Sequence, residues 1–278
     1  ENFAANYNID TDDHVIELYN VTGDVIAGIY PITTVGTTNL VLGDKATKAT
    51  NLGGNCSYRI ERGPKVYDPA LAAGSRLVAF VSTDAGLFGT PPLGCRSIVR
   101  YRDRLTLGES LHESHLWFQS RNGVPNEFQY FPSANDVGQA VAGQNSEAGA
   151  IGAPITALMP HSDDYLLFGC ADSLWVLRGD ASYGGQIDNL SRGIGVISRD
   201  AYCYGPKAEL IFLSRDGIYA MANGVAGTPE SISREKMPQE LTNIDVNAYH
   251  VSMEYDPQSR GVHIMVTPFD TADSSSHF

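Results

Sequence analysis

Along this chain the apolar positions come in short runs that alternate with polar ones, and no run keeps helical spacing for long. Before Gly63-Pro64, the runs Val15 to Leu18, Val25 to Ile29 and Leu40 to Leu42 are set apart by Thr-Gly-Asp, Thr-Thr-Val-Gly-Thr-Thr-Asn and Gly-Asp-Lys. Turn signals at about 8–12-residue spacing predict short antiparallel strands. Residues 1–64 are therefore expected to form a small β-sandwich- or barrel-like unit. From Lys65 onward a pattern repeats. Asp103-Arg-Leu-Thr-Leu107-Gly108 precedes Ser114-His-Leu116-Trp117-Phe118, and Asp164-Tyr-Leu-Leu-Phe168-Gly169 precedes Asp172-Ser-Leu174-Trp175-Val176. Glu209-Leu-Ile-Phe-Leu213-Ser214 precedes Asp216-Gly217-Ile218-Tyr219-Ala220. Each reads as an acidic residue, an alternating apolar strand, a polar turn and an apolar-aromatic strand.

A second echo brackets these hairpins. Val66-Tyr67-Asp68-Pro69 leads into Arg76-Leu-Val-Ala-Phe80, and Glu254-Tyr255-Asp256-Pro257 leads into Arg260-Gly-Val-His-Ile264. The two prolines lie 257 − 69 = 188 residues apart, which divides into four steps of 47. A period of about 40–50 residues with several strands each is the signature of propeller blades. One small twisted sheet cannot bury both of its faces, so successive sheets pack face to face. Residues 65–278 are expected to form a β-propeller region; a β-sandwich or another multi-sheet fold is the alternative. The last echo has no room to complete its sheet before Phe278, so the region is expected to be incomplete at its C-terminus. The best helical stretch, Ser231 to Leu241, is limited by Pro238 to a turn or two.

Composition narrows the function classes. The 278 residues include 28 Gly and 14 Pro, with 42% hydrophobic and 18% charged residues, which excludes a disordered chain. Lys+Arg total 19 against 32 Asp+Glu, a net charge of -13, so a protein that grips nucleic acid or an anionic membrane is not expected. No apolar run approaches the roughly 18 residues that cross a bilayer. Cys56, Cys95, Cys170 and Cys203 form no Cys-x-x-Cys pair and are expected to be free thiols, the last two as core residues.

No candidate chemistry survives comparison with what its reaction requires. In His112-Glu113-Ser114-His115 the histidines sit three apart, one short of the zinc-protease spacing, and within a turn. His161-Ser162-Asp163-Asp164 lacks the alternating ligands and sharp glycine turn of a calcium loop. Ser82-Thr-Asp84-Ala-Gly86 and Ser214-Arg-Asp216-Gly217 resemble the aspartate box of sialidase-type propellers, a motif that closes hairpins rather than performing catalysis. Arg96, Arg100, Arg102, Arg104 and Arg121 are dense, and positions 100, 102 and 104 would face one side of a strand. A charged contact between subunits explains them as well as a sialidase-like cluster does. Arg178-Gly179-Asp180 matches the integrin tripeptide without a flexible loop around it, and Gly184-Gly185 to Gly195 lacks the Lys-Ser/Thr of a phosphate cradle. No catalytic, cofactor-binding or metal-ligating residue is expected.

The order of the motifs carries a resemblance. Gly143-Gln144, Ile151-Gly-Ala-Pro154-Ile-Thr-Ala-Leu158, Asp164 to Phe168, Ser173-Leu-Trp175-Val-Leu-Arg178-Gly-Asp180, Gly193-Ile-Gly195 and Phe212 to Tyr219 follow one another. Together with Gly94 to Leu105, Leu116 to Ser120 and Pro125 to Phe128, this resembles the β-propeller region of bacteriophage virion proteins of the tail-nozzle or head-tail-hub type. The resemblance covers roughly Lys65 to Ile264. It implies a structural role in the virion, in a homo-oligomeric ring, commonly a hexamer, around the channel through which DNA leaves the capsid. The implied partners are neighbouring tail, portal or adaptor proteins and DNA in non-specific passage, with no membrane. An acidic wall would keep DNA from sticking. The alternative is a carbohydrate-binding or glycoside-hydrolysing propeller that stacks sugar on Trp117 or Tyr183.

Overall fold

A computed structural model describes residues 14–20, 22, 28–36, 40–42, 55–62, 65–72, 77–80, 89, 91–131, 136–144, 146–224, 227–233, 241 and 244–269. The helical stretch expected within Ser231 to Leu241 and the first aspartate box lie largely outside these residues. The fold is all-β, with antiparallel sheets. The chain divides into two compact units, Glu1–Gly94 with Gln119–Ala140, and Cys95–Phe118 with Val141–Phe278.

In the first unit, β1 (His14–Tyr19), β2 (Gly28–Val35), β3 (Leu40–Leu42) and β4 (Ser57–Arg62) form a sheet in the order β3-β2-β1-β4. Ile16, Leu18, Tyr30 and Ile32 bury its core, as the alternating pattern requires. A separate hairpin pairs β5 (Lys65–Tyr67) with β6 (Leu77–Ala79). Its turn opens on Asp68, whose carboxylate accepts the Ala70 amide at 2.9 Å.

The second unit holds the repeats. Its first sheet contains β7 (Cys95–Tyr101), β8 (Arg104–Ser110), β9 (Phe118–Gln119) and β10 (Val141–Ala142) in spatial order β10-β9-β8-β7. The second sheet runs through β11 (Ile155–His161), β12 (Tyr165–Cys170), β13 (Leu174–Asp180) and β14 (Tyr183–Ser191) in chain order. The third does the same with β15 (Tyr202–Tyr204), β16 (Leu210–Ser214), β17 (Gly217–Met221) and β18 (Glu230–Ser231). A final hairpin pairs β19 (Tyr249–Asp256) with β20 (Gly261–Pro268). The first strands β11, β15 and β19 begin at residues 155, 202 and 249, two steps of 47 residues. The turn after β19 repeats the one after β5, because the Asp256 carboxylate accepts the Gln258 amide at 2.8 Å.

The sheets stack face to face, and this explains why their strands are apolar without interruption. Along β12, Leu166, Phe168 and Cys170 share a core with Tyr101 and Val141 of the first sheet. Leu167 points the other way, into a core with Leu210, Phe212 and Tyr219 of the third sheet and Val251 and Met253 of β19. Each such fully buried side chain contributes on the order of 2 kcal/mol relative to exposure. The aromatics of the repeat hold matching places. Trp175 lies opposite Phe168, and Tyr219 lies opposite Phe212, with ring centroids 5.9 Å apart in the second pair. Two tyrosines tie the third sheet to the second: Tyr202 donates its hydroxyl to the Leu158 carbonyl at 3.1 Å, and Tyr204 donates to that of Pro160. Among the described residues the stack is open, and no helix is long and apolar enough to cross a membrane.

Candidate functional site

The sequence candidates resolve into structural parts. The expected strand from Ser114 to Phe118 begins only at Phe118, because Trp117 leaves the strand path and is buried against Phe168, ring centroids 5.8 Å apart. Glycine is required at position 143, since a Cβ there would lie 2.9 Å from the indole nitrogen. Trp117 is 0% exposed and cannot stack on sugar, whereas Tyr183 is 74% exposed. Arg100, Arg102 and Arg104 do not share a strand face. Arg102 and Asp103 form a two-residue turn with φ of 48° and 57°, which reverses the chain between them. Arg100 is left exposed beside Asp103, while Arg104 is buried against Asp180. Arg121 lies elsewhere, paired with Glu127 and Asp136.

Arg178-Gly179-Asp180 is built into the sheet stack. Arg178 pairs across strands with Asp188 at 3.2 Å, Gly179 gives its carbonyl to the Tyr101 hydroxyl at 2.9 Å, and Asp180 holds Arg104. His161 is buried and stacked on Tyr204, with burial pushing its pKa down, while Asp163 and Asp164 are exposed. His112 and His115 are exposed in their turn. The carboxylate of Asp216 accepts the Tyr219 hydroxyl at 2.7 Å and so braces its own hairpin. All four cysteines are free, with Cys170 and Cys203 buried. Among the described residues, no group of three or more His, Cys, Asp and Glu side chains could hold a metal ion.

One charged cluster has no counterpart among the sequence candidates. It brings together β7, β8, the loop entering β15 and the start of β19. Glu109, near the end of β8, has φ of 55°, a left-handed backbone that costs a glutamate about 1 kcal/mol. This turns its carboxylate to accept the Ser97 hydroxyl at 2.9 Å. Burial pushes the Glu109 carboxyl above its ordinary range, opposed by Arg199 and Arg96 and reinforced by Asp200. Arg199 donates to the Arg96 carbonyl at 3.1 Å and lies 3.6 Å from Asp200. Asp200 in turn lies 3.4 Å from His250, and its carbonyl accepts the Met253 amide at 3.0 Å. The Cys95 thiol is pushed up to about 12 by burial and by Glu109, which disfavours its thiolate. The cluster compensates its own charges and ties three sheets together near their first strands.

Its titration is testable. A carboxyl whose pKa is higher in the folded than in the unfolded protein binds its proton more tightly when native. Its contribution to stability is therefore full at low pH and is lost as pH rises through the raised value. Glu109→Gln keeps the acceptor for Ser97 and removes the charge. It is expected to melt on the order of 2 °C above the native protein at pH 8, with the gap closing below about pH 4. A variant that melts lower at pH 8 would show that Arg96 and Arg199 outweigh the burial.

No protein-family model and no curated protein matches the chain. A similar solved structure is that of a structural-genomics protein of unknown function from Bacteroides thetaiotaomicron. It is 8% identical with a TM-score of 0.37, over 94% of this chain. This chain spans 64% of that protein's length.

Proposed function

We propose that the four sheets of the second unit are blades of a β-propeller, and that the chain is a structural component of a bacteriophage virion. In this reading it is a ring-forming tail-nozzle or head-tail-junction protein beside the DNA exit channel. The observation that carries it is a stack of three four-stranded sheets and a hairpin, in which the first strands β11, β15 and β19 start 47 residues apart. The motifs that resemble virion propellers fall on the parts that hold this stack together: β11 to β13, the β16–β17 hairpin and the close-packed Gly195 loop. A net charge of -13 suits the wall of a conduit, from which DNA must slide free. Neighbouring tail, portal or adaptor proteins are the partners of such a ring.

The test is mass photometry of the full chain across a concentration series, joined to electron microscopy of the particles formed. A ring of defined copy number is the expected result. A protein that stays monomeric and binds glycans or cleaves a chromogenic glycoside overturns this reading. That outcome would favour a carbohydrate-directed propeller using the exposed Tyr183.

A further inference from the structure

We infer that His161 is a pH-sensitive latch, capped by Tyr204, at one end of the seam between the second and third sheets. The inference stands apart from the virion reading. His161 ends β11 and is 3% exposed, while Tyr204 ends β15 and is 38% exposed. Their rings stack with centroids 6.1 Å apart and planes 22° apart, so the partly exposed tyrosine covers the buried imidazole. The Tyr204 hydroxyl holds this cover in place by donating to the carbonyl of Pro160, the residue before His161.

The surroundings of the imidazole suit its neutral form. The carbonyl of Ala222, one residue past β17, hydrogen-bonds the ring. Nε2 is buried and has no hydrogen-bond partner among the described residues. Nδ1 is therefore the donor, and Nε2 carries the lone pair. A second proton would go to Nε2 and create a buried N–H and a positive charge without an acceptor.

Charged groups nearby do not rescue that cation. In the register His161 lies opposite Tyr165 and Tyr165 opposite Arg178, whose guanidinium sits over the Tyr165 ring and pairs with Asp188. Asp163 and Asp164, in the turn after β11, act instead on Arg100 and Tyr101 of the first sheet. On the third sheet, Glu209 accepts the amide of the exposed Lys207 at 2.7 Å and acts on Cys203. Cys203, Ile211, Ala220 and Glu230 oppose one another in one row, on the face turned away from Tyr204.

The other end of the seam is held by groups that do not titrate. There the Thr156 hydroxyl donates to the Val196 carbonyl at 2.6 Å, and the Val196 amide donates to the Cys170 carbonyl at 2.8 Å. Acid is therefore expected to lift Tyr204 and open the seam at the His161 end alone. Burial opposes the charged imidazole, so the folded protein takes this proton less readily than the unfolded chain. The contribution to stability is full above about pH 6.5 and is lost as pH falls below that value.

The experiment is an NMR titration of the imidazoles in the full chain, joined to thermal melting between about pH 5 and 8. His161→Phe identifies the His161 signal and cannot take the proton; His161→Gln replaces it in both uses if the phenylalanine variant does not fold. The His161 midpoint is expected below the ordinary value of about 6.5, and Tyr204→Ala should bring it back toward that value. Tyr204→Phe keeps the ring cover and loses only the hydroxyl bond, so its midpoint should stay low. Below pH 6.5 the native protein should lose up to about 3 °C per pH unit relative to His161→Phe. Glu109 and the other histidines are common to both proteins and cancel. A native midpoint at or above about 6.5 overturns the inference, because the Tyr204 ring would then be stabilising the cation. A midpoint that Tyr204→Ala leaves unmoved overturns the cap, and an equal acid loss in His161→Phe overturns the latch.

Discussion

Asp180→Ala is expected to cost about 3–5 kcal/mol of folding stability, because it removes the carboxylate facing a buried guanidinium. The Arg104 side chain is 1% exposed and reaches from β8 to the end of β13. Its Nη2 lies 3.2 Å from Asp180 Oδ1 and 3.3 Å from Oδ2, and it donates to the Ser182 hydroxyl at 2.8 Å. Asp180 is fixed in turn, accepting both the amide and the hydroxyl of Ser182, at 2.9 and 2.8 Å. The penalty is asymmetric. Asp180 is 22% exposed, so Arg104→Met leaves a carboxylate that water can partly solvate, at a smaller cost of about 1–3 kcal/mol. Combining Arg104→Met with Asp180→Leu should regain much of the loss, since neither charge then needs a partner. Urea denaturation of the three variants is the measurement. A loss under about 1 kcal/mol for Asp180→Ala would mean that water reaches the guanidinium and that the pair is not a structural anchor.

The same pair marks where the sequence was legible and where it was not. The hairpins β12–β13 and β16–β17 could be read from the chain because strands buried on both faces must be apolar at successive positions, as in Tyr165 to Cys170 and Leu210 to Leu213. Their turns carry Asp, Ser and Gly for local reasons. The 47-residue step was legible because equivalent Asp-Pro turns make the same side-chain bond to the amide two residues on. The reversal at Arg102-Asp103 was not legible. Its left-handed turn is normally announced by Asn-Gly, and without that signal Arg100, Arg102 and Arg104 read as one strand face. In the sequence Trp117 is an alternative sugar platform beside Tyr183, because nothing near it reveals that Phe168 and Gly143 cover it. The Glu109 cluster was invisible for a more general reason. Its members are separated by up to 250 − 96 = 154 residues, and only the stacking of sheets brings Arg96, Glu109, Arg199, Asp200 and His250 to one edge.

Glycine content hides a similar distinction, and it gives the second large effect. Gly193 and Gly195 stand two apart in the loop from β14 to β15, in a stretch that reads only as glycine-rich. A Cβ at Gly193 meets nothing within 4 Å, whereas one at Gly195 would collide with the Cys170 carbonyl and lie 2.6 Å from the backbone of Ala171. That close approach is what lets the Val196 amide donate to Cys170 at 2.8 Å and carries the Val196 side chain into the core. There Val196 fits over Gly169, where a Cβ would again be too near, at 2.8 Å. Gly195→Ala must therefore push the loop off β12 and loosen the junction of the second and third sheets. It is expected to cost about 2–3 kcal/mol, because the obstructing atoms are backbone and cannot rotate away. Gly193→Ala should stay within about 0.5 kcal/mol of the native protein, as a surface substitution in open space. Paired urea titrations decide the matter. Equal stability of the two variants would show that the loop gives way freely, and the tight seam between these sheets would then not be what holds the stack in register.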